Sequence, residues 1–203
     1  MGRLESVKEP FDRDRQHSAK RKSVILAAAM AFRQNGYHNT AMSKIAEDLG
    51  LTRPALYYYV KNKEEILFES HLIAYDAMDE ILAQPRDENK TGMAHLYDIF
   101  HQFVLLLTDS GVSLLTDVDS LAGEWRQEVL TRRQHIEDGI TDWVKLGQKD
   151  GSIRDGQPRI FVFFFMGALN WLNAWYDTSG DISGQEIADI FAQQMQSGLT
   201  SGQ

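Results

Sequence analysis

Residues 36–67 constrain the fold more than any other stretch, because they hold two short amphipathic segments joined by a glycine. In the first segment Ile45 and Leu49 lie four positions apart and therefore share one face of a helix. Thr40 precedes this helix, and its hydroxyl is expected to cap it. Gly50 then permits the positive φ of a tight turn. These signals predict a helix-turn-helix.

The second segment predicts a short helix over residues 53–59. Thr52 stands at the capping position and Pro54 falls in the first turn, where its missing N–H costs little. Leu56 and Val60 are again four apart and are expected to face inward. A helix of about seven residues is too short to be stable alone, so its neighbours must hold it. A short helix held on one face is typical of recognition helices, which offer the other face to the DNA major groove.

The outward face of this helix carries side chains suited to DNA. Arg can pair twice with a guanine edge and Pro or Ala can touch a thymine methyl, whereas Tyr and Lys bind phosphates and fix the register. Any one tyrosine could instead pack in the core, but adjacent positions point about 100° apart and cannot share a core. The candidate DNA-binding residues are Thr40, Ser43, Lys44, Thr52, Arg53, Pro54, Ala55, Tyr57, Tyr58, Tyr59 and Lys63.

The same stretch resembles the DNA-binding domain of the TetR (tetracycline-repressor) family of bacterial regulators. The residues that carry the resemblance, at fixed spacing and without a gap, are Gly36-Tyr37, Thr40, Ile45-Ala46, Leu49-Gly50, Thr52, Leu56-Tyr57, Tyr59, Val60 and Asn62-Lys63-Glu64. Val60 departs from the family pattern, which most often has Phe there. The resemblance implies a dimeric repressor that binds a palindromic operator and is released by a small effector.

The charge distribution agrees with a DNA-binding front end. The formal net charge of −8 argues against nucleic acid at first sight. Residues 1–65, however, hold 12 Lys and Arg against 8 Asp and Glu, a net of +4, while the remainder holds 9 against 21, a net of −12. A basic front and an acidic rear suit a protein that presents one end to DNA; the alternative is a chance imbalance.

Hydrophobic periodicity predicts an all-α protein of about nine helices. We expect a flexible arm over residues 1–17, a helix-turn-helix domain over 18–65, whose first helix begins at Ser18, and a helical ligand-binding and dimerisation domain over 66–203. The further helices are predicted at 63–82, 93–107, 123–149, 160–176 and 182–196, with a short helix within the weaker stretch 110–122. In the family, the helix matching residues 63–82 joins the two domains and tilts when ligand binds.

The segment over residues 160–176 is the most apolar of the chain. A helix that is apolar on nearly all sides must be buried on nearly all sides, and a second subunit across a two-fold axis can provide that burial. The resemblance places the dimer interface on this helix and the next. The candidate interface residues are Phe164, Gly167, Ala168, Trp175, Ile187 and Phe191.

The C-terminal domain is expected to hold a small apolar or amphipathic molecule. It is rich in aromatic residues and places Asn170 inside an apolar helix, where an amide needs a partner; that partner is either a ligand or a neighbouring helix or subunit. The candidate ligand-binding residues are Phe103, Leu107, Trp125, Arg126, Trp143, Met166, Asn170 and Trp171.

A looser resemblance, carried by Trp125-Arg126 and residues 170–176, points to the acyl-CoA-responsive subgroup of the family. It implies that Arg126, Arg132 or Arg133 meets phosphates of coenzyme A, the alternative for each being an ordinary surface charge.

Other chemistries find little support in the sequence. The chain has no Cys, which excludes disulfides and cysteine metal sites, and it contains none of the common catalytic signatures. His95 and His101, six positions apart, do not share a helix face. We expect no enzyme activity, cofactor, metal or membrane span, and a cytoplasmic location. The competing hypothesis is a small-molecule sensor or carrier whose helix-turn-helix no longer binds DNA.

Overall fold

The computed structural model describes residues 10–200, with only the backbone for residues 10–13 and 173. Within that range the chain is all-α, as predicted, with one further turn of 3-10 helix at Val118–Ser120. The α-helices are α1 (Pro10–Asn35), α2 (Met42–Asp48), α3 (Arg53–Tyr59), α4 (Lys63–Leu82), α5 (Gly92–Asp109), α6 (Gly123–Lys149), α7 (Pro158–Trp175) and α8 (Gly184–Leu199).

The first three helices form the helix-turn-helix unit. The bounds of α3 and α4 agree with the predicted ones. Each helix is capped by the side chain that precedes it: the hydroxyl of Thr52 accepts a hydrogen bond from the Ala55 N–H at 3.3 Å, and the side chain of Asn62 caps α4. Leu56 and Val60 are buried, as expected from their spacing. They pack in a core to which α1, α2 and α4 also contribute.

Two predictions at the start of the chain are wrong. Helix α1 begins at Pro10 and not at Ser18, so the predicted arm is helical over residues 10–17; its polar residues gave no apolar period, although proline suits a first helical turn. Residues 1–9 of that arm lie outside the described residues. Thr40 does not cap α2, because its hydroxyl donates to the carbonyl oxygen of Gly36 at 2.8 Å; the capping position belongs to Ala41.

The stretch between α5 and α6 also differs from its prediction. A short helix was expected within residues 110–122, but its helical part is a single turn of 3-10 helix at Val118–Ser120. Gly111 adopts a positive φ of 73°, which ends the helical path. The apolar residues that follow, among them Leu114 and Leu115, are buried although this part of the chain has no regular secondary structure. We call residues 111–122 the 111–122 segment.

Helices α4 to α8 form the C-terminal unit. Helix α5 packs on α8, α6 and α7, and α4 packs on α6. Where α5 begins, its backbone touches α6: a Cβ on Gly92 would lie 2.2 Å from the backbone nitrogen of Gly147. Helix α4 contributes to both units, with Ile66 and Leu67 buried near its start and Met78 near its end. Among the described residues no helix is long and apolar enough to cross a membrane.

Candidate nucleic-acid interface and ligand cavity

Helix α3 presents a polar and aromatic face to solvent. Arg53 and Pro54 are exposed, and the side chains of Tyr57 and Tyr58 are 44% and 69% exposed. Arg53 stands at the first position of α3, where a guanidinium can approach base edges. The structure therefore leaves these four residues free to meet DNA.

The other candidates on this unit are less available. Thr40 is buried and Tyr59 is half-buried, while the hydroxyl of Thr52 is used as a cap. The ammonium of Lys63 lies 4.2 Å from the centre of the Tyr37 ring, and partial burial lowers its pKa. Thr40 is thus misplaced in the predicted set, because its hydroxyl serves the loop before α2.

The last three DNA-binding candidates are Ser43 and Lys44 on α2 and Ala55 on α3. Ser43 and Lys44 are exposed on α2, and the Lys44 ammonium pairs with Asp48 at 2.8 Å. Ala55 is half-buried behind the exposed face of α3.

Arg21 on α1 fixes α3 in place, and sequence reasoning missed this role. Its Nε donates to the carbonyl oxygen of Tyr59, the last residue of α3, at 3.1 Å. Its Nη2 donates to the carboxylate of Glu65 at 3.1 Å and to that of Glu69 at 3.0 Å, both on α4. The hydrogen bond to Glu69 is the main cause of the raised pKa of Arg21. No local pattern signals a contact between such distant positions.

A cavity of about 370 Å³ opens between α4, the 111–122 segment, α6 and α7. We call it the α4–α6–α7 cavity. Its volume falls within the range of about 300–1,000 Å³ typical of sites for small molecules. Its lining residues are Tyr75, Leu114, Leu115, Thr116, Val118, Arg133, Glu137, Phe163, Met166, Gly167 and Asn170.

The polar side chains of the α4–α6–α7 cavity come from all four of its walls: Tyr75 on α4, Thr116 on the 111–122 segment, Arg133 and Glu137 on α6, and Asn170 on α7. Burial raises the pKa of Tyr75 to about 12, so its hydroxyl is a neutral donor at pH 7. Arg133 and Glu137 face each other on α6 at 3.8 Å, which is too long for a hydrogen bond. The cavity thus combines an apolar lining with a positive and a negative side chain.

Only Met166 and Asn170 of the predicted ligand set line this cavity. Phe103 and Leu107 are buried on α5. The remaining four are placed as follows: Trp125 stacks on Phe68 at 5.1 Å, Arg126 pairs with Asp119 at 2.9 Å, Trp143 lies 4.5 Å from the ring of His95, and Trp171 is exposed. The eight residues therefore do not meet at one place in the structure, because periodicity identifies inward faces and not which faces meet.

The 111–122 segment joins the cavity to the helix-turn-helix unit. Its Leu114 and Leu115 line the cavity. At its other end the Ala122 N–H donates to the carboxylate of Glu64, at the start of α4, at 3.1 Å. The Ser120 hydroxyl lies 3.2 Å from Nε2 of His38, in the turn before α2.

Helix α7 exposes an apolar stripe along its length. The largest exposed side chains on this stripe are Ile160, Phe163, Phe164, Trp171 and Trp175. Gly167 lies within it, and a Cβ there would meet no atom within 4 Å.

The remaining interface candidates lie closer to the protein's own core. Ala168 and Phe191 are half-buried against it. Ile187 was predicted at the interface but is only 3% exposed, whereas Ile190 on the same helix is 52% exposed. Ile187 therefore faces the protein's own core, and Ile190 lies on the outward side of α8.

Comparison with known families covers most of the chain. The model for the C-terminal domain of tetracyclin repressor-like proteins matches residues 92–199, more than half of the sequence. The model for bacterial regulatory proteins of the tetR family matches residues 24–69.

Among curated relatives, the fatty acid metabolism regulator protein of Bacillus subtilis (strain 168) is 28% identical over 150 residues, spanning 70% of this chain and 75% of that protein. The transcriptional regulator RutR of Escherichia coli (strain K12) is 39% identical over 61 residues, spanning 30% of this chain and 29% of RutR.

Solved structures share the fold at low identity. The structure of AibR in complex with isovaleryl coenzyme A and operator DNA superposes with a TM-score of 0.71 at 23% identity, covering 86% of this chain and 97% of that one. The ketosteroid transcriptional regulator KstR2 of Mycobacterium tuberculosis superposes with a TM-score of 0.75 at 17% identity, covering 90% and 96%.

Proposed function

Because the chain belongs to the tetR family of bacterial regulatory proteins, we propose that it is a ligand-responsive repressor that binds operator DNA as a homodimer. The observation that carries the proposal is the exposed face of α3, with Arg53 at its start and Tyr57 and Tyr58 following. Buried contacts hold the opposite face of α3. We place the protein in the cytoplasm, where bacterial operators lie, and assign it no catalytic step.

The proposed division of labour on α3 follows from side-chain chemistry. Arg53 reads a guanine edge through paired hydrogen bonds, which gives sequence preference. Tyr57 and Tyr58 bind phosphate oxygens, which position the helix but carry no sequence information. In a two-fold dimer the two copies of α3 enter successive major grooves of a palindromic site.

The proposed dimer forms through the apolar stripe on α7. Contiguous exposed apolar surface of this kind marks an interaction site, and an identical stripe on a second copy is self-complementary about a two-fold axis. Gly167 lets two α7 helices approach closely, because no side chain stands between them. Trp171 and Ile190 replace Ile187 in the proposed interface.

The proposed effector site is the α4–α6–α7 cavity, and the effector is a small apolar or acyl-CoA-type molecule. The name of the Bacillus subtilis relative supports a link to fatty acid metabolism. The cavity touches α4 and the 111–122 segment, both of which contact the helix-turn-helix unit. An effector that prefers one arrangement of these elements lowers the DNA affinity of the dimer by differential binding.

An anisotropy titration tests the proposal. DNA flanking the protein's own gene and a scrambled duplex are titrated with purified dimer at about 0.15 M salt, where specific sites bind roughly a thousandfold tighter than non-specific DNA. Specific binding that weakens on adding octanoyl-CoA supports a repressor with an acyl-CoA-type effector. Failure to bind any DNA, even at low salt, contradicts the regulator and favours a small-molecule sensor or carrier.

A further inference from the structure

We propose that the α4–α6–α7 cavity recognises an amphiphile with an anionic head, and that Arg133 receives the head in place of its weak internal partner Glu137. This inference rests on the proposed function for its assignment of the cavity as the effector site. It goes further by naming the part of the ligand that is recognised and the residue that recognises it.

Arg133 is incompletely paired, in contrast to its neighbour on α6. The guanidinium of Arg132 lies 3.0 Å from Asp76 and 3.1 Å from Glu128, both within hydrogen-bond range. The contact of Arg133 is the one to Glu137, at 3.8 Å. Among the described residues Arg133 therefore keeps guanidinium donors that a carboxylate or phosphate can take.

Glu137 is shared between two cations. Its second carboxylate oxygen lies 3.9 Å from the guanidinium of Arg159 on α7. Two guanidinium groups around one carboxylate leave a local charge of about +1, in a C-terminal unit that is acidic overall. A ligand anion that enters between Arg133 and Glu137 gains hydrogen bonds at Arg133, while Glu137 keeps Arg159 as its partner.

The α4 wall of the cavity does not oppose an anion. The hydroxyl of Tyr75 is neutral, since burial raises its pKa to about 12. His71, one turn earlier on α4, stacks on the Tyr75 ring and is neutral at pH 7, because burial and the charge of Arg133 lower its pKa to about 4. Neither side chain therefore carries a negative charge that would repel a ligand anion at this wall.

The remaining lining suits an apolar chain. Leu114, Leu115, Val118 and Met166 are buried residues with side chains at the cavity wall. The side chain of Arg133 is 46% exposed, so a head group larger than the cavity can extend from it into solvent. The shared chemistry is an apolar chain with an anion at one end, which occurs in a free fatty acid and in an acyl-CoA.

The test measures direct binding in the absence of DNA. Octanol, octanoate and octanoyl-CoA are titrated by calorimetry into the full-length protein and into Arg133→Gln, Arg133→Lys and Glu137→Gln. Lys145→Gln is the matched control, because Lys145 is an exposed cation on the same helix that does not line the cavity. Circular dichroism and thermal melting establish that each variant is folded.

We expect both anionic probes to bind more tightly than octanol. Arg133→Gln should weaken them roughly ten- to a hundredfold, the value of a hydrogen bond to a charged group, with octanol unchanged. Arg133→Lys should retain part of the preference and Glu137→Gln should strengthen it. Tighter binding of octanoyl-CoA than octanoate identifies a phosphate-bearing head, and the reverse a free carboxylate.

Equal binding of octanol and octanoate to the wild type, no binding of any probe, or equal effects of Arg133→Gln and Lys145→Gln would overturn the inference. The DNA titration separates this failure from that of the proposed function. A protein that binds its operator but shows no Arg133-dependent preference is a regulator with a different effector chemistry. A protein that shows the preference but binds no DNA keeps the head-group assignment and loses the repressor.

Discussion

Replacing Arg21 by Gln is expected to loosen α3 without altering the face that meets DNA. The guanidinium holds the Tyr59 carbonyl oxygen at 3.1 Å and two carboxylates of α4 at 3.1 and 3.0 Å. Hydrogen bonds to charged groups are worth about 1.5–3 kcal/mol each, but this side chain is 26% exposed and solvent weakens all three. Glu65 and Glu69, one helical turn apart, then repel each other by about 0.2–0.5 kcal/mol. We expect a total loss of roughly 2–3 kcal/mol.

A loss of this size should lower the melting temperature by about 4–12 °C in a chain of this length. Urea unfolding measures the stability, and anisotropy titrations at several salt concentrations measure the DNA affinity and its salt dependence. Lys22→Gln is the matched control, because it removes one positive charge from an exposed neighbour on α1. For Arg21→Gln the operator affinity should fall while the slope of log affinity against log salt stays unchanged.

The reasoning would be refuted by the opposite pattern. If Arg21→Gln unfolded at the wild-type urea midpoint and reduced the salt slope by about 0.9, the amount expected for one lost phosphate contact, then Arg21 would bind DNA directly. Its contacts with α3 and α4 would in that case contribute little to the position of the recognition helix.

Three further predictions concern DNA reading, the dimer and pH. Arg53→Ala should weaken operator binding by about 1–3 kcal/mol and relax its sequence preference in competition titrations; equal losses on operator and scrambled DNA would contradict base reading. Trp171→Glu should yield monomers in analytical ultracentrifugation, since it places a charge in the apolar stripe, whereas the exposed change Gln193→Glu on α8 should not; a dimeric Trp171→Glu protein would exclude this interface. His71→Leu should flatten the pH dependence of stability between pH 6.5 and 4, because the folded pKa of about 4 lies below the ordinary value of 6.5 and the unfolded chain takes up the proton first. Above pH 6.5 the lowered pKa of His71 therefore corresponds to up to about 3 kcal/mol of folding stability in the wild type, which is lost as the pH falls toward 4. Parallel urea-midpoint profiles for wild type and variant would disprove this.

The recognition unit could be predicted from the sequence because its signals are local. The capping side chain of Thr52, the proline after it and the four-residue spacing of Leu56 and Val60 all lie within a single short helix. Each signal constrains the backbone within one or two turns, and all agree on the same bounds. The outward face of α3 followed from the same periodicity.

The contacts that hold this unit could not be predicted, because they join distant parts of the chain. Arg21 meets Tyr59, Glu65 and Glu69 across three helices. The polar residues of 10–17 continue α1 without an apolar period, so the pattern placed the start of the helix at Ser18. A helical period reveals which side of a helix is apolar, but tertiary packing decides its partner.

The same limit explains the ligand and interface residues. The resemblance implies a phosphate contact for Arg133 only as one of three arginines, and no sequence pattern indicates Tyr75. Neither residue interrupts a run of apolar residues, as Asn170 does. Ile187 was placed on the outer face of α8, although it is buried against the protein's own core. Aromatic content identified the apolar helix α7 but did not show that Phe163 and Gly167 belong both to its exposed stripe and to the cavity wall.

The irregular backbone of the 111–122 segment has a mechanical consequence. The other walls of the α4–α6–α7 cavity are α-helices, in which successive backbone hydrogen bonds resist deformation together. Apart from its turn at Val118–Ser120, the segment has no such ladder, so it is the softest wall. A ligand that enlarges the cavity therefore displaces this segment first. The contacts of the segment with Glu64 and His38 lie at its other end, so the displacement reaches the helix-turn-helix unit through them. The most deformable wall of this helical protein thus lies next to the helix-turn-helix unit.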